Sequence, residues 1–157
     1  MNEPTEAVRA FWEAFRQEHS EISPDTLYDA WFFGDSREAA DELVELVVSG
    51  QKTATASLGW EYEAEGEALP KVGGYSVITN FDGEPRCVIQ TSEVRILPYD
   101  EVEADFASDE GEGDRSLEYW RQAHWRFFSR VCARIGRQPD LKMPVVCERF
   151  RLVYTAS

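Results

Sequence analysis

A chain of 157 residues is the size of a single domain, long enough to bury a core without disulfide or metal staples. Its apolar share of 43%, with nine Phe, six Tyr and five Trp, supplies that core, and a formal charge of -14 excludes the counterion-driven grip by which basic proteins hold duplex DNA. The three scattered cysteines, Cys87, Cys132 and Cys147, make neither a disulfide framework nor a C-x-x-C zinc pair, and no uncharged stretch reaches the ~18 residues that span a bilayer, so a reduced, cytoplasmic, membrane-free protein is expected.

Val8, Phe11, Trp12 and Phe15 recur at helical spacing behind Pro4 and Thr5, which predicts an amphipathic helix over 5–18. Ser23 before Pro24 has the form of a helix start. Ser36, followed by Leu43, Val44, Leu46 and Val47 and stopped by Gly50, predicts a further helix. Beyond Gly50 the run Lys52-Thr53-Ala54-Thr55-Ala56-Ser57 favours a short strand. Residues 59–74 carry Gly, Pro and charge and are expected as a loop, with Trp60 and Tyr62 giving it the character of a lid. Tyr75 to Asn80 and Arg86 to Ile96 predict strands joined by a tight turn at Asp82-Gly83.

After Pro98 a short helix is expected around Asp100 to Phe106, then an exposed loop over the acidic run Asp109-Glu110-Gly111-Glu112-Gly113-Asp114. Nine carboxylates lie between Asp100 and Glu118 against Arg115 alone, so the acidity is local and other faces can still attract a phosphate. Leu117, Trp120, His124, Phe127, Phe128, Val131 and Ile135 then trace one face of a long helix, with Asp114 placed to cap it, and Pro144 to Tyr154 closes the chain as a strand. Helices bracketing hairpin-joined strands indicate an α+β fold rather than a doubly wound sheet.

An amine and two hydroxyls follow the helix stop at Gly50. Lys52 there can bind a phosphate, stabilise an oxyanion or, if desolvated, act as a base, and the same spacing also suits a solvated lysine at a strand start. Glu148 shares the parity of Val146, Phe150 and Leu152, so an alternating strand turns it inward, where Lys52 or an arginine is the expected partner. His124 lies in the apolar stripe and reads as a core imidazole more readily than as a general base.

The segment Gly50-x-Lys52-Thr53-x-Thr55 resembles the ASCH signature Gly-x-Lys-x-x-x-x-Arg, and Trp60-Glu61-Tyr62, the Glu110-to-Asp114 run, Trp120 and Val146-Cys147-Glu148-Arg149-Phe150 fit one bacterial branch of that family. The likeness divides the chain into a helical extension, 1–26, packed on an ASCH domain, 27–157. It implies a PUA-like fold, a small β-barrel of mostly antiparallel strands flanked by helices, with a cleft at the lysine and a role in RNA recognition. The family's arginine falls at Ser57, so a phosphate clamp must come from elsewhere, Arg86 among the substitutes.

Relatives of two kinds give the resemblance two enzymatic meanings, an RNA-acting, ribonuclease-like domain first and an amidohydrolase as its alternative. In a ribonuclease-like reading Lys52 and Ser129 meet the phosphate, while in an amidohydrolase reading Lys52, Thr55 and Glu112 deacetylate N-acetylated cytidine, with Glu110 as rival to Glu112. A non-catalytic nucleotide-binding module is the third. Thr53, Trp60, Tyr62, Arg86 and Glu148 are the expected substrate contacts, with exposed aromatics stacking the bases of single-stranded RNA or a modified nucleoside. No resident metal is expected, although Asp109, Glu110, Glu112 and Asp114 offer oxygens to a divalent cation such as Mg²⁺.

Overall fold

The computed structural model describes residues 3–156. Helix α1 (Glu6–Gln17) starts where the Thr5 hydroxyl accepts from the Val8 amide at 3.2 Å, and Val8, Trp12 and Phe15 form its buried face. The helix expected at Ser23-Pro24 does not form. Ser23 closes a single turn through Thr26 N, and the chain then extends into strand β1 (Tyr28–Trp31), where pairing with a neighbouring strand prevails over the local helix signal.

Helix α2 (Arg37–Val48) is capped by the Ser36 hydroxyl, which accepts from Ala39 N at 3.1 Å, and Gly50 turns the chain out of it with φ 87°. Strand β2 (Ala54–Leu58) follows. The stretch expected as a loop begins with a helix instead, α3 (Gly59–Glu65), although no side chain caps it. Docking explains this: Trp60 packs on the core, and Arg134 reaches both Glu61 and Glu65.

Strands β3 (Tyr75–Thr79) and β4 (Pro85–Pro98) form the expected hairpin, with Gly83 at φ 85° in its turn. The short helix expected near Asp100 is split into a 3₁₀ turn (Tyr99–Glu101) and α4 (Ala104–Glu110), so the acidic run begins helical. Helix α5 (Leu117–Ile135) is capped by Ser116 rather than Asp114. Asp114 acts one step earlier, accepting from Ser116 N at 2.9 Å. Strand β5 (Pro144–Thr155) completes the fold.

The five strands form one sheet in the order β1-β3-β4-β5-β2, parallel between β1 and β3 and antiparallel elsewhere. The sheet is open and not the closed barrel expected. Closure would require β1 to pair with β2, but these short strands occupy opposite edges, and α2 between them in sequence lies against β3, β4 and β5. Register shifts in β4 at Val88/Ile89 and Thr91/Glu93 mark bulges, which bend a strand without joining its edges.

Both faces of the sheet are covered. On one, Ala54, Leu58, Val145 and Cys147 meet Phe106, Trp120 and Phe128 of α4 and α5, and Val77 and Val88 meet α1, whose Trp12 stacks on Tyr28 at 4.4 Å. On the other, Ile78, Ile89 and Phe150 pack under Phe33, Val44 and Val47. No helix among the described residues is long and apolar enough to cross a membrane.

Candidate functional site

Where α2 ends, the Leu46 carbonyl accepts from both Gln51 N and Lys52 N, and the chain is then fastened to the end of α4. Thr53 N donates to Asp109 O at 2.8 Å, and Gln51 Nε2 donates to Gly111 O at 2.6 Å. A Cβ at Gly111 would lie 2.5 Å from Gln51 O, and its φ is +72°, so both the approach and the backbone conformation require glycine. This clamp carries the Lys52 side chain inward, leaving it 1% exposed.

All three ammonium protons of Lys52 are engaged. Nζ donates to Ala54 O at 2.8 Å and to Glu112 Oε2 at 2.7 Å, and it shares its third with the Glu110 carbonyl and Oε2, both at 3.4 Å. Phe33 places its ring 5.3 Å from Nζ. Glu110, also 1% exposed, accepts from Trp120 Nε1 at 3.0 Å and stands 3.4 Å from His124 Nε2. His124 Nδ1 is 2.9 Å from the Trp120 carbonyl, which can only accept, so Nδ1 carries a proton.

Burial alone would lower the Lys52 pKa, but the charges of Glu110 and Glu112 outweigh it and the net shift is upward, so the amine stays protonated. Glu110 is pushed up by burial and pulled further down by Lys52 and His124, ending well below the usual carboxylate range. For Glu112, burial and the negative charge of Glu110 prevail over Lys52 and raise the carboxyl to about 7. Desolvation lowers His124, yet Glu110 reverses the sign and raises it. The cluster therefore holds a fixed cation, a fixed anion and one carboxyl that exchanges a proton near neutrality. The neutral lysine base expected from the sequence is not supported, because two carboxylates flank it.

A second polar group lies on the same sheet face as Ile78 and Phe150, which α2 packs against. Thr55 on β2 pairs in register with Glu148 on β5, and Thr91 on β4 donates to Glu148 Oε2 at 2.6 Å. Glu148 points inward as its parity predicts and is 5% exposed, but its partner is Thr91, not Lys52 or an arginine. Burial raises its carboxyl pKa, against the Thr91 bond and together with the charge of Asp29. Tyr62 of α3 shares a 2.8 Å hydrogen bond with Ser57, the position of the family arginine.

Lys52, Glu112 and Glu110 thus converge, and Thr55 neighbours Glu148. Other expected residues do not join them. Ser129 is half-buried on α5 and takes no part in the bonds that hold Lys52. Arg86 is tied to Glu45 of α2. The Thr53 hydroxyl reaches Asp109 O at 3.3 Å, and Trp60 packs on the core with the Arg137 guanidinium 4.5 Å from its ring.

The four-oxygen cation site does not assemble, because Asp109 binds Arg149 and Asp114 binds Ser116 N. Glu110, Glu112 and His124 bring one ligand atom each within 4.8 Å of one another, but the Lys52 ammonium already bonds to both carboxylates, so a metal there competes with it. His124 and Trp120 lie in the core, as the apolar stripe of α5 predicts, and there they also position Glu110. Their four-residue spacing, which stacks the two rings at 4.2 Å, was the available signal.

The family model of the ASCH domain matches residues 29–154. The solved ASCH domain from Lactobacillus crispatus JV V101 is 34% identical, covering 98% of each chain with a TM-score of 0.88. Protein EF3133 from Enterococcus faecalis V583 is 39% identical over 94% of this chain and 88% of its own, with a TM-score of 0.86. The hypothetical protein PH0355, at 17% identity and a TM-score of 0.53 over 79% of this chain and 99% of its own, shares the fold alone. Comparison with curated proteins finds no match.

Proposed function

The chain belongs to the ASCH domain family, and on that premise we propose that it is a hydrolase acting on the amide of an N-acylated nucleoside, with N-acetylated cytidine as the representative substrate. The family is generally linked to RNA binding, which makes a nucleoside the natural ligand class. The observation that carries the reading is the 2.7 Å contact between buried Lys52 and Glu112, whose carboxyl is raised to about 7. A group with that acidity both takes and returns a proton at neutral pH.

In the proposed reaction the Thr55 hydroxyl attacks the amide carbon while Glu112 takes its proton. Glu112 then delivers that proton to the departing amine as the C–N bond breaks, leaving an acyl ester on Thr55. Water attacks the ester, giving one proton through Glu112 back to the Thr55 oxygen, and acetate leaves. Lys52 orients Glu112 through their 2.7 Å contact. Two carboxylates in the site and a formal charge of -14 favour an uncharged substrate over a phosphodiester. The bond donors of Lys52 are also already occupied by protein oxygens.

Wild type, Glu112→Gln and Thr55→Ala are to be incubated with N-acetylated cytidine, with cytidine and acetate measured by chromatography. Wild type releases both and each variant loses about 10²-fold or more in rate. No release by wild type, or full activity in Glu112→Gln, overturns the proposal. Cleavage of single-stranded RNA that disappears in Lys52→Ala would establish the ribonuclease reading in its place.

A further inference from the structure

A sheet face turned toward a core is normally apolar, yet part of this one is not. Strand alternation places Thr55 and Ser57 of β2, Glu148 of β5, Thr91 of β4 and Ser76 of β3 on the same side as Ile78 and Phe150. Ser76, Thr91 and Glu148 are all buried, so this polar strip is sheltered within the fold rather than spread over its surface. Tyr62 faces it from α3, bonded to Ser57 and close enough to Glu148 to feel its charge.

Glu148 is the unusual member. Its Oε2 accepts from Thr91, whereas its Oε1 makes no protein hydrogen bond among the described residues. No buried side-chain oxygen there is sealed off without a partner, so Oε1, which has none, retains some access to solvent. Among the described residues no ion pair neutralises this carboxyl, and a charged group near it is another carboxylate, Asp29. Such a position repels anions and rejects carbonyl oxygens, and it accepts N–H donors.

We propose that Glu148 is the base-reading residue of this domain, its Oε1 accepting a hydrogen bond from the exocyclic amino nitrogen of a cytosine-type ring and so excluding the uracil ring, which carries a carbonyl there. This deepens the nucleoside reading above and rests on it for the class of ligand. A carboxylate accepting from the cytosine amino group is an established pairing in nucleic-acid recognition. Thr91 fixes the carboxyl orientation, and the register of Thr55 with Glu148 sets the reading group beside the proposed nucleophile.

The test is equilibrium binding of cytidine and uridine to the full chain, by calorimetry, for wild type, Glu148→Ala and Thr91→Val. Wild type binds cytidine about tenfold or more tightly than uridine, and Glu148→Ala erases that preference. Thr91→Val leaves Glu148 in place but unoriented and narrows the preference. Equal affinity of wild type for the two nucleosides, or binding of neither, overturns the proposal without recourse to any variant. A preference that survives in folded Glu148→Ala also overturns it. Selective binding without amide hydrolysis would sink the proposed reaction and leave this inference standing, whereas hydrolysis with no discrimination would do the reverse.

Discussion

Replacing Glu112 by Gln should make the protein more stable above neutral pH while removing its proposed activity. Glu112 holds its proton more tightly in the folded chain than in the unfolded one, because burial and Glu110 oppose its ionisation. Its contribution is therefore fully present below its ordinary value of 4.5 and is lost as pH rises through about 7. Glutamine has the same shape, still offers an oxygen to Lys52, and has no proton to lose. At about 1.4 kcal/mol per tenfold change in acidity, that interval sets an upper bound of about 3.5 kcal/mol. The side chain is 20% exposed and bonds to Lys52, which reduces the expected gain to about 1–2 kcal/mol.

Urea denaturation of both proteins at about pH 5 and about pH 8.5 reads the difference directly. The two should be nearly equal at the lower pH, and the variant should lead at the higher. Glu110, already held below the usual carboxylate range, loses its contribution only under more acidic conditions and does not distort this window. A stability difference that stays flat across the two conditions, or that favours wild type at the higher, would refute the account of a strained carboxyl.

Lys52→Met should be destabilised by about 3–5 kcal/mol, since it leaves two facing carboxylates without their cation. Calorimetry should show a fall in Tm of about 6–20 °C, and an unchanged Tm would deny the ammonium its structural part. Gly66→Ala tests positive φ alone, with nothing within 4 Å of the added methyl, and should cost about 1–2 kcal/mol. Gly111→Ala adds a backbone clash with Gln51 and should cost clearly more by the same denaturation assay; equal losses would mean that the clamp yields freely. Finally, kcat/KM for amide hydrolysis should rise with pH through about 7 as Glu112 ionises, and a profile flat across that region would place the base elsewhere.

Local chemistry was legible wherever a short segment decides its own conformation. Thr5 and Ser36 cap the helices their hydroxyls announce, and Asp82-Gly83 turns the hairpin. The misreadings occur where tertiary contacts override local signals. Tyr28–Trp31 is a strand because β3 lies beside it, and α3 is a helix because α5 receives it. The site divides similarly. Spacing and family likeness brought out Lys52 and Glu112, and parity brought out Glu148, but neither conveys that Glu110 would be the deeper anion or that Trp120 and His124 would hold it. Ser129 and Arg86 were plausible by residue type, and only their actual neighbours remove them from the lysine.

The order of the strands has a consequence for how the molecule matures. Thr55 meets Glu148 across strands that lie more than half of these 157 residues apart in sequence, and β5 emerges from the ribosome after the other four strands. Joining such distant segments means closing a long loop before any contact compensates for it, which slows assembly. A nascent chain that stops short of Pro144 can already possess α1, α2 and the hairpin, yet it lacks the strand on which β2 and the Thr55–Glu148 pair depend. Ligand recognition should therefore arrive late and all at once, so that capacity to bind doubles as a report on completed folding.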